Sequence, residues 1–243
     1  MEKLTVKKVS FNSEKPSIDE IEALFNRENI EFHPIDKVDW PEIAPYKPDV
    51  KFRIMHSETE IYLQYVVEED EVRAIYDYDC GSRPYTDDCV EFFMVPSDAD
   101  PSYYNLELNC VGHGTFNYGP DRNHRSHCDD AIISQIRRRS TLGDKALGES
   151  YSLARDTTSM PGPYPCANCC KEKASWRLTI AIPKSVYAQV DPDVKPFSGR
   201  TLRANFYKCG DDTAMPHYLS WNRIEIEKPD FHRPDWFGEV YFE

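Results

Sequence analysis

The amino-acid sequence predicts an all-β fold: a jelly-roll-like antiparallel β-sandwich carrying one short N-terminal helix and a long loop insertion. Three observations predict it. About ten segments of strand length either alternate apolar and polar residues or run apolar throughout. Only one segment has a clear helical period, whereas a parallel α/β sheet needs a helix between most strands. Aromatic residues make up 13% of the chain, with 15 Tyr, beside 18 Pro and 10 Gly. That mixture suits strands joined by loops that carry function.

Taken in order, residues 3–9, KLTVKKV, read as the first strand. Residues 17–27, SIDEIEALFNR, read as the helix. Ser17 is a good N-cap, Glu20 completes a capping box, and Ile18, Ile21, Leu24 and Phe25 share one face. Strands are expected at 30–35, 51–57 and 60–69. In the last, Ile61, Leu63, Tyr65 and Val67 alternate with Tyr62, Gln64 and Val66, and SETE before it makes a plausible hairpin turn. Residues 71–79, 89–96 and 103–112 continue the series. Residues 113–172 hold too little apolar material for a core of their own, so they are expected to form an elaborated loop with one strand at most, not a second domain. Strands resume at 175–183, 201–209 and 236–243, with a turn or two of helix at 184–190. The chain is therefore expected to be one domain, residues 1–243, with 120–172 inserted as a loop.

With 243 residues the chain is long enough for a substantial core. Forty-two acidic residues against 29 basic give a net charge of −13. This acidity argues against nucleic acid or an anionic membrane as partner. The one basic run, Arg137-Arg138-Arg139, reads as a solvated strand or loop face. No stretch reaches the roughly 20 apolar residues that span a bilayer. The first residues lack the apolar core of a signal peptide, which points to the cytoplasm if Met1 is the native start, and otherwise to a periplasmic or secreted protein whose leader has been removed.

Four chemistries compete for the polar side chains. A sugar platform needs an exposed aromatic face for a pyranose and polar neighbours for its hydroxyls. Trp221-Asn222-Arg223, with His217 four residues before Trp221, supplies one such group; Tyr85, followed by Asp87, Asp88 and Glu91, supplies another. Trp221 reads equally well as a core residue. A hard cation such as calcium suits Asp77, Asp79, Asp87 and Asp88, although aspartates that cap turns have the same pattern. Zinc suits His124, His127 and Cys128 with Cys166, Cys169 and Cys170, but the usual second ligand pair is missing, and a disulfide or free thiols fit the spacing better. Cys80, Cys89 and Cys110 fall in or near strands, where a free cysteine acts as a small apolar residue. Glycoside hydrolysis needs two opposed carboxylates, for which Glu91 and Glu107 are the candidates; no serine-hydrolase, zinc-protease or phosphate-loop motif is present. Trp236 and Trp40 read as packing residues, and Trp176, at the start of an alternating strand, as core.

Three passages resemble the family 9 carbohydrate-binding modules, in particular the family-9-like proteins of Bacteroidetes type within the wider DOMON-like β-sandwiches. They are EIYLQYVVEED (60–70), YTDDCVEFFMVP (85–96), and the ending WRLTIAIP, LRANFYKC, YLSWN and PDWFGEVYF. The resemblance spans roughly residues 30–243 and rests on their order and spacing. It implies a sandwich that binds oligo- or polysaccharide chain ends of glucan or xylan type in carbohydrate catabolism, with two aromatics clamping a terminal sugar and with structural calcium as an option but no required cofactor. At the matching positions stand Tyr85 and Glu91, Trp221 beside Asn222, and Arg203 and Asn205 on the preceding strand. Tyr at the first clamp position implies altered stacking, and the cysteine-rich segment has no counterpart. Two alternatives follow: an enzyme of polysaccharide breakdown using Glu91, and a haem or metal protein using Met94, Met215 and His217.

Overall fold

The computed structural model describes residues 1–97, 100–127, 129–151, 173–189, 192 and 194–243. Among these the strands are β1 (Lys3–Lys8), β2 (His33–Pro34), β3 (Lys37–Val38), β4 (Asp49–His56), β5 (Glu60–Glu69), β6 (Val72–Ala74), β7 (Cys89–Val95) and β8 (Tyr103–Asn109). They continue as β9 (Gly114–Gly119), β10 (Ser126–His127), β11 (Arg137–Ser140), β12 (Gly148–Tyr151), β13 (Ala174–Pro183), β14 (Arg200–Cys209), β15 (Tyr218–Ser220) and β16 (Gly238–Phe242). Two α-helices, α1 (Ile18–Arg27) and α2 (Asp130–Ile133), complete the list. Among the described residues no helix is long and apolar enough to cross a membrane.

The hydrogen-bonded order is β10-β9-β8-β7-β14-β16-β1-β4-β5-β13-β11. β1 is the seam. Its residues 3–6 run parallel to β16, and Lys7 and Lys8 run parallel to β4, so one strand belongs to both sheets. Every other described ladder is antiparallel, as in the antiparallel sandwich expected from the sequence, with the two parallel pairings confined to this seam. The two sheets meet over one core. Phe52 of β4 stacks on Phe206 of β14 with ring centroids 3.8 Å apart, and the Tyr65 hydroxyl donates to the Glu91 carbonyl across the gap at 2.9 Å.

The helix forms as its sequence predicts. The Ser17 hydroxyl accepts from the Glu20 amide, and the Glu20 carboxylate accepts from the Ser17 amide. Its apolar stripe, Ile21, Leu24 and Phe25, covers Met55, Tyr62 and Ala181 on the outer face of β4, β5 and β13. Burying those three side chains contributes about 1.5–3 kcal/mol each. This helix explains why β5 is buried on both faces despite its alternation. The arginines of β11 are not simply solvated. Arg137 pairs with Glu60, Arg138 with Asp79, and Arg139 with Asp19 and Glu22.

Three expected strands are shorter than their patterns. Residues 30–35 contribute only β2, and 71–79 only β6. Past Ala74 the chain turns through Cys80 and Gly81, both at positive φ, into a 3₁₀ turn at Pro84–Thr86. The last strand starts at Gly238, because Pro234–Trp236 forms a 3₁₀ turn. Conversely, residues 113–151 are more regular than a loop, holding β9 to β12 and α2. The cysteine-rich stretch 152–172 lies outside the described residues.

The outer face of β7, β8 and β14 is partly roofed. Residues 221–237 fold back over it, bringing Ile224, Phe231 and Phe237 onto Phe93, Tyr103 and Tyr207, with Trp40 joining the cluster. Tyr207 and Phe231 stack at 4.2 Å. The unroofed part of this face is a cleft.

Candidate functional site

Strand alternation decides which side chains reach the cleft floor. On β7, Val90, Phe92 and Met94 enter the core, so Cys89, Glu91 and Phe93 face outward. Glu91 lies opposite Glu107 of β8, which lies opposite Thr115 of β9; one step along, Asn105 lies opposite Asn117. The floor thus presents Glu91, Glu107, Asn105, Asn117 and Cys209 in a cleft of about 460 Å³. One wall is the turn 81–85, another is Arg122, Arg125 and His127, and the C-terminal roof contributes Asp230, Phe231 and His232. Trp40 and Tyr218 line it as well.

Tyr85 is 38% exposed, and its carbonyl accepts from the Asp211 amide at 2.9 Å, tying the turn to the loop after β14. The Arg125 guanidinium lies over the Tyr103 ring at 4.5 Å and donates to Asn105 Oδ1, while its buried Nε has no acceptor among the described residues. Glu107 accepts from Asn105 Nδ2 at 2.5 Å, and Glu91 accepts from the Cys209 thiol at 3.0 Å. Burial raises both carboxyls above the ordinary glutamate range, and for Glu91 the facing Glu107 adds to it. Two buried carboxyls directly opposite one another cannot both ionise cheaply, and each opposes the charge of the other. Burial also pushes Asp211 up to about 6 and His232 down to about 3, leaving that imidazole neutral beside the Tyr103 hydroxyl.

Of the residues expected to bind ligand, Tyr85 and Glu91 line this cleft and five do not. Trp221 is 5% exposed, with its ring set edge-on to Phe52 and Phe206 in the core. Asn205 is fully buried and clamps the backbone of Asn222, accepting from its amide at 2.9 Å and donating to its carbonyl at 2.8 Å. Asn222 in turn accepts from the Glu2 amide at 2.6 Å and donates to the Trp236 carbonyl at 2.7 Å. Arg203 donates to the Pro234 carbonyl at 3.0 Å, by a separate hollow with Ser97 and Asp100. His217 is buried with Nε2 2.6 Å from Lys208 Nζ and Nδ1 2.9 Å from the Met215 carbonyl. Both ring nitrogens are engaged and Met94 lies in the sandwich core, so the Met94, Met215 and His217 haem set does not assemble. Four of the five are buried, where they hold backbone or side-chain partners or pack in the core, and Arg203 is exposed.

The four aspartates expected as a calcium set do not converge. Asp77 is exposed, Asp79 pairs with Arg138, Asp87 with Arg73 at 2.6 Å, and Asp88 with Lys208 at 2.7 Å. His124 pairs with Asp121, and His127 lies 3.0 Å from Asn117 Oδ1; their expected zinc partners, Cys128, Cys166, Cys169 and Cys170, lie outside the described residues. Glu91 and Glu107 share one floor side by side, a different arrangement from carboxylates flanking a glycosidic bond.

Sequence reasoning missed Asn105, Asn117 and Arg125. Asn105 and Glu107 stand on the same face of YYNLELNC, and polar residues at strand-interior positions of a chain with this much apolar material were the available signal. Arg125 reaches Asn105 from a loop 20 residues later, which no local pattern announces.

Comparison with known proteins matches these features. No curated protein sequence matches the chain. The crystal structure of a candidate carbohydrate-binding protein from Bacteroides uniformis is 36% identical, covering 100% of this chain and 99% of that one, with a TM-score of 0.85. A family 9 module from Caldicellulosiruptor kristjanssonii in complex with glucose shares the fold at 15% identity, covering 100% and 96% of the two chains with a TM-score of 0.56. A module from the same organism in complex with cellotriose gives 13%, 100%, 94% and 0.55. The family model for carbohydrate-binding family 9 matches residues 19–158 and 166–242. That match spans both sheets, the strands of the cleft floor and the roof above them, and on it the chain belongs to carbohydrate-binding family 9.

Proposed function

We propose that this carbohydrate-binding chain holds the end of an oligo- or polysaccharide, of glucan or xylan type, in the cleft over β7, β8 and β9. One observation carries the reading: a half-exposed Tyr85 ring stands at a cleft whose floor and wall offer Glu91, Asn105, Glu107 and Arg125. An aromatic face takes the C–H side of a pyranose, and amide, carboxyl and guanidinium groups take its hydroxyls. The buried Arg125 Nε, without an acceptor among the described residues, is a donor such a hydroxyl satisfies. The size of the cleft, about 460 Å³, suits a short chain end better than a long enclosed segment. The role fits polysaccharide breakdown beside glycoside hydrolases, which gene neighbourhood tests.

Calorimetry against cello-, xylo- and manno-oligosaccharides is the direct test. Affinity is expected on the order of micromolar to millimolar. Heat lost in Tyr85→Ala but kept, per folded molecule, in Arg203→Ala supports this cleft. A folded protein that gives no heat with any of these sugars overturns the reading.

A further inference from the structure

At the cleft floor and just beneath it lie two cysteines whose sulfur chemistry hydroxyl recognition leaves unused. Cys89 and Glu91 stand two residues apart on β7, so both leave the same face of the sheet. Cys209 of β14 lies directly opposite Cys89. Both sulfurs are free thiols, and together with a Glu91 carboxylate oxygen they lie within 4.8 Å of one another. All three residues are buried, yet Glu91 and Cys209 line the cleft.

Metal–sulfur bonds near 2.3 Å and metal–oxygen bonds near 2.0–2.2 Å set tetrahedral ligands roughly 3.5–3.8 Å apart. Spacings at or under 4.8 Å, including 3.0 Å from Cys209 Sγ to Glu91 Oε1, approach this by small side-chain rotations on a rigid sheet. Glu107 faces Glu91, and Asp211 lines the same cleft together with Arg122 and Arg125, but among the described residues neither arginine forms an ion pair with Glu91, whose carboxylate stays available as a ligand.

We propose that Cys89, Glu91 and Cys209 form a three-ligand site for a zinc-type divalent cation, with the fourth coordination position open to the cleft. Two thiolates and a carboxylate select a borderline-soft ion over calcium or magnesium. Loading breaks both S–H bonds and releases those protons to solvent, with a third from the carboxyl where Glu91 is protonated, so affinity rises with pH. Water or a ligand hydroxyl completes the tetrahedron. The site stands independently of the carbohydrate reading, although an ion there would draw Glu91 away from a bound sugar.

Cobalt(II) titration under a non-thiol reductant tests it, in full-length chain with Cys128, Cys166, Cys169 and Cys170 replaced by serine so that those thiols cannot report. One cobalt per chain is expected, with thiolate-to-metal charge-transfer absorption that zinc displaces. Cys89→Ser and Cys209→Ser should each weaken the absorption and the double variant abolish it; circular dichroism verifies folding. If the serine variants do not fold, alkylation of the titrated chain, read by peptide mass spectrometry, should show zinc protecting Cys89 and Cys209. Absorption that persists in the folded double variant overturns the proposal. So does a folded, reduced chain without charge-transfer absorption at saturating cobalt, or alkylation that zinc does not slow.

Discussion

Trp221 and Tyr85 are both aromatics among polar neighbours, yet they do different work. Trp221 packs between the sheets, so Trp221→Ala should cost about 3–5 kcal/mol in denaturant unfolding while leaving sugar affinity per folded molecule unchanged. Tyr85 is half-exposed, and Tyr85→Ala should leave the melting temperature nearly unchanged while weakening sugar binding about tenfold by calorimetry. The sequence separated these two poorly for a physical reason. Polar groups around Trp221 read as hydroxyl-binding partners, but Asn222 is spent on the Glu2 amide and the Trp236 carbonyl, 220 and 14 residues away. A side chain's partner, not its type, decides whether it is free for a ligand, and distant backbone partners leave no trace in local sequence. That Tyr85 and Glu91 stand together at one cleft was legible because they sit on a turn and the strand that follows it, close in sequence to one another.

At the scale of elements, period and capping were the readable signals. The bounds of β5 and the capping box of α1 follow from alternation and from Ser17 and Glu20. The weak strands β9 and β10 were not readable, since their pairing is supplied by β8 and by each other rather than by apolar pattern. The late start of β16 has a packing reason as well as a turn. A Cβ on Gly238 would sit 2.5 Å from Trp221 Cζ3 and 2.9 Å from the Glu2 carbonyl. Gly238→Ala should therefore destabilise by about 1–3 kcal/mol, read as a lower thermal midpoint, and Gly238→Val by more. An unchanged midpoint for the alanine variant would show that the ring can move away.

For the molecule as a whole, a buried charge network should shape the response to pH. Lys208 lies 2.7 Å from Asp88 and 3.0 Å from Glu69, with His217 beside it. Burial opposes charge on Asp88, but Lys208 holds its carboxyl below the ordinary range. Burial, then Asp88, push Glu69 up to about 8, so one carboxylate balances one ammonium. The sign follows from linkage. Glu69 keeps its proton in the folded state above the pH at which the unfolded chain loses it. Its contribution is therefore full below about 4.5, declines as pH rises through about 8, and then levels off. His217, lowered to about 3, works oppositely: its contribution is lost as pH falls from about 6.5 toward 3. Glu69→Gln mimics the neutral acid and should flatten the decline between pH 5 and 8, measured by urea unfolding across pH. A decline of unchanged slope would assign it to other groups.

The strand shared by both sheets has a consequence for how the chain is made. A ribosome delivers β1 early and β16 more than 200 residues later, yet residues 3–6 find their ladder partners only on β16. Until then two-thirds of that strand waits with open amides, and the roof segment that walls the cleft lacks one of its fastenings, the bond from the Glu2 amide to Asn222. Pairings this distant in sequence form slowly. Pulse-labelled hydrogen exchange during refolding should show the amides of β1 and β16 gaining protection together and last. Ligand competence should then arrive with the stitching of the two ends, after both sheets have already taken shape.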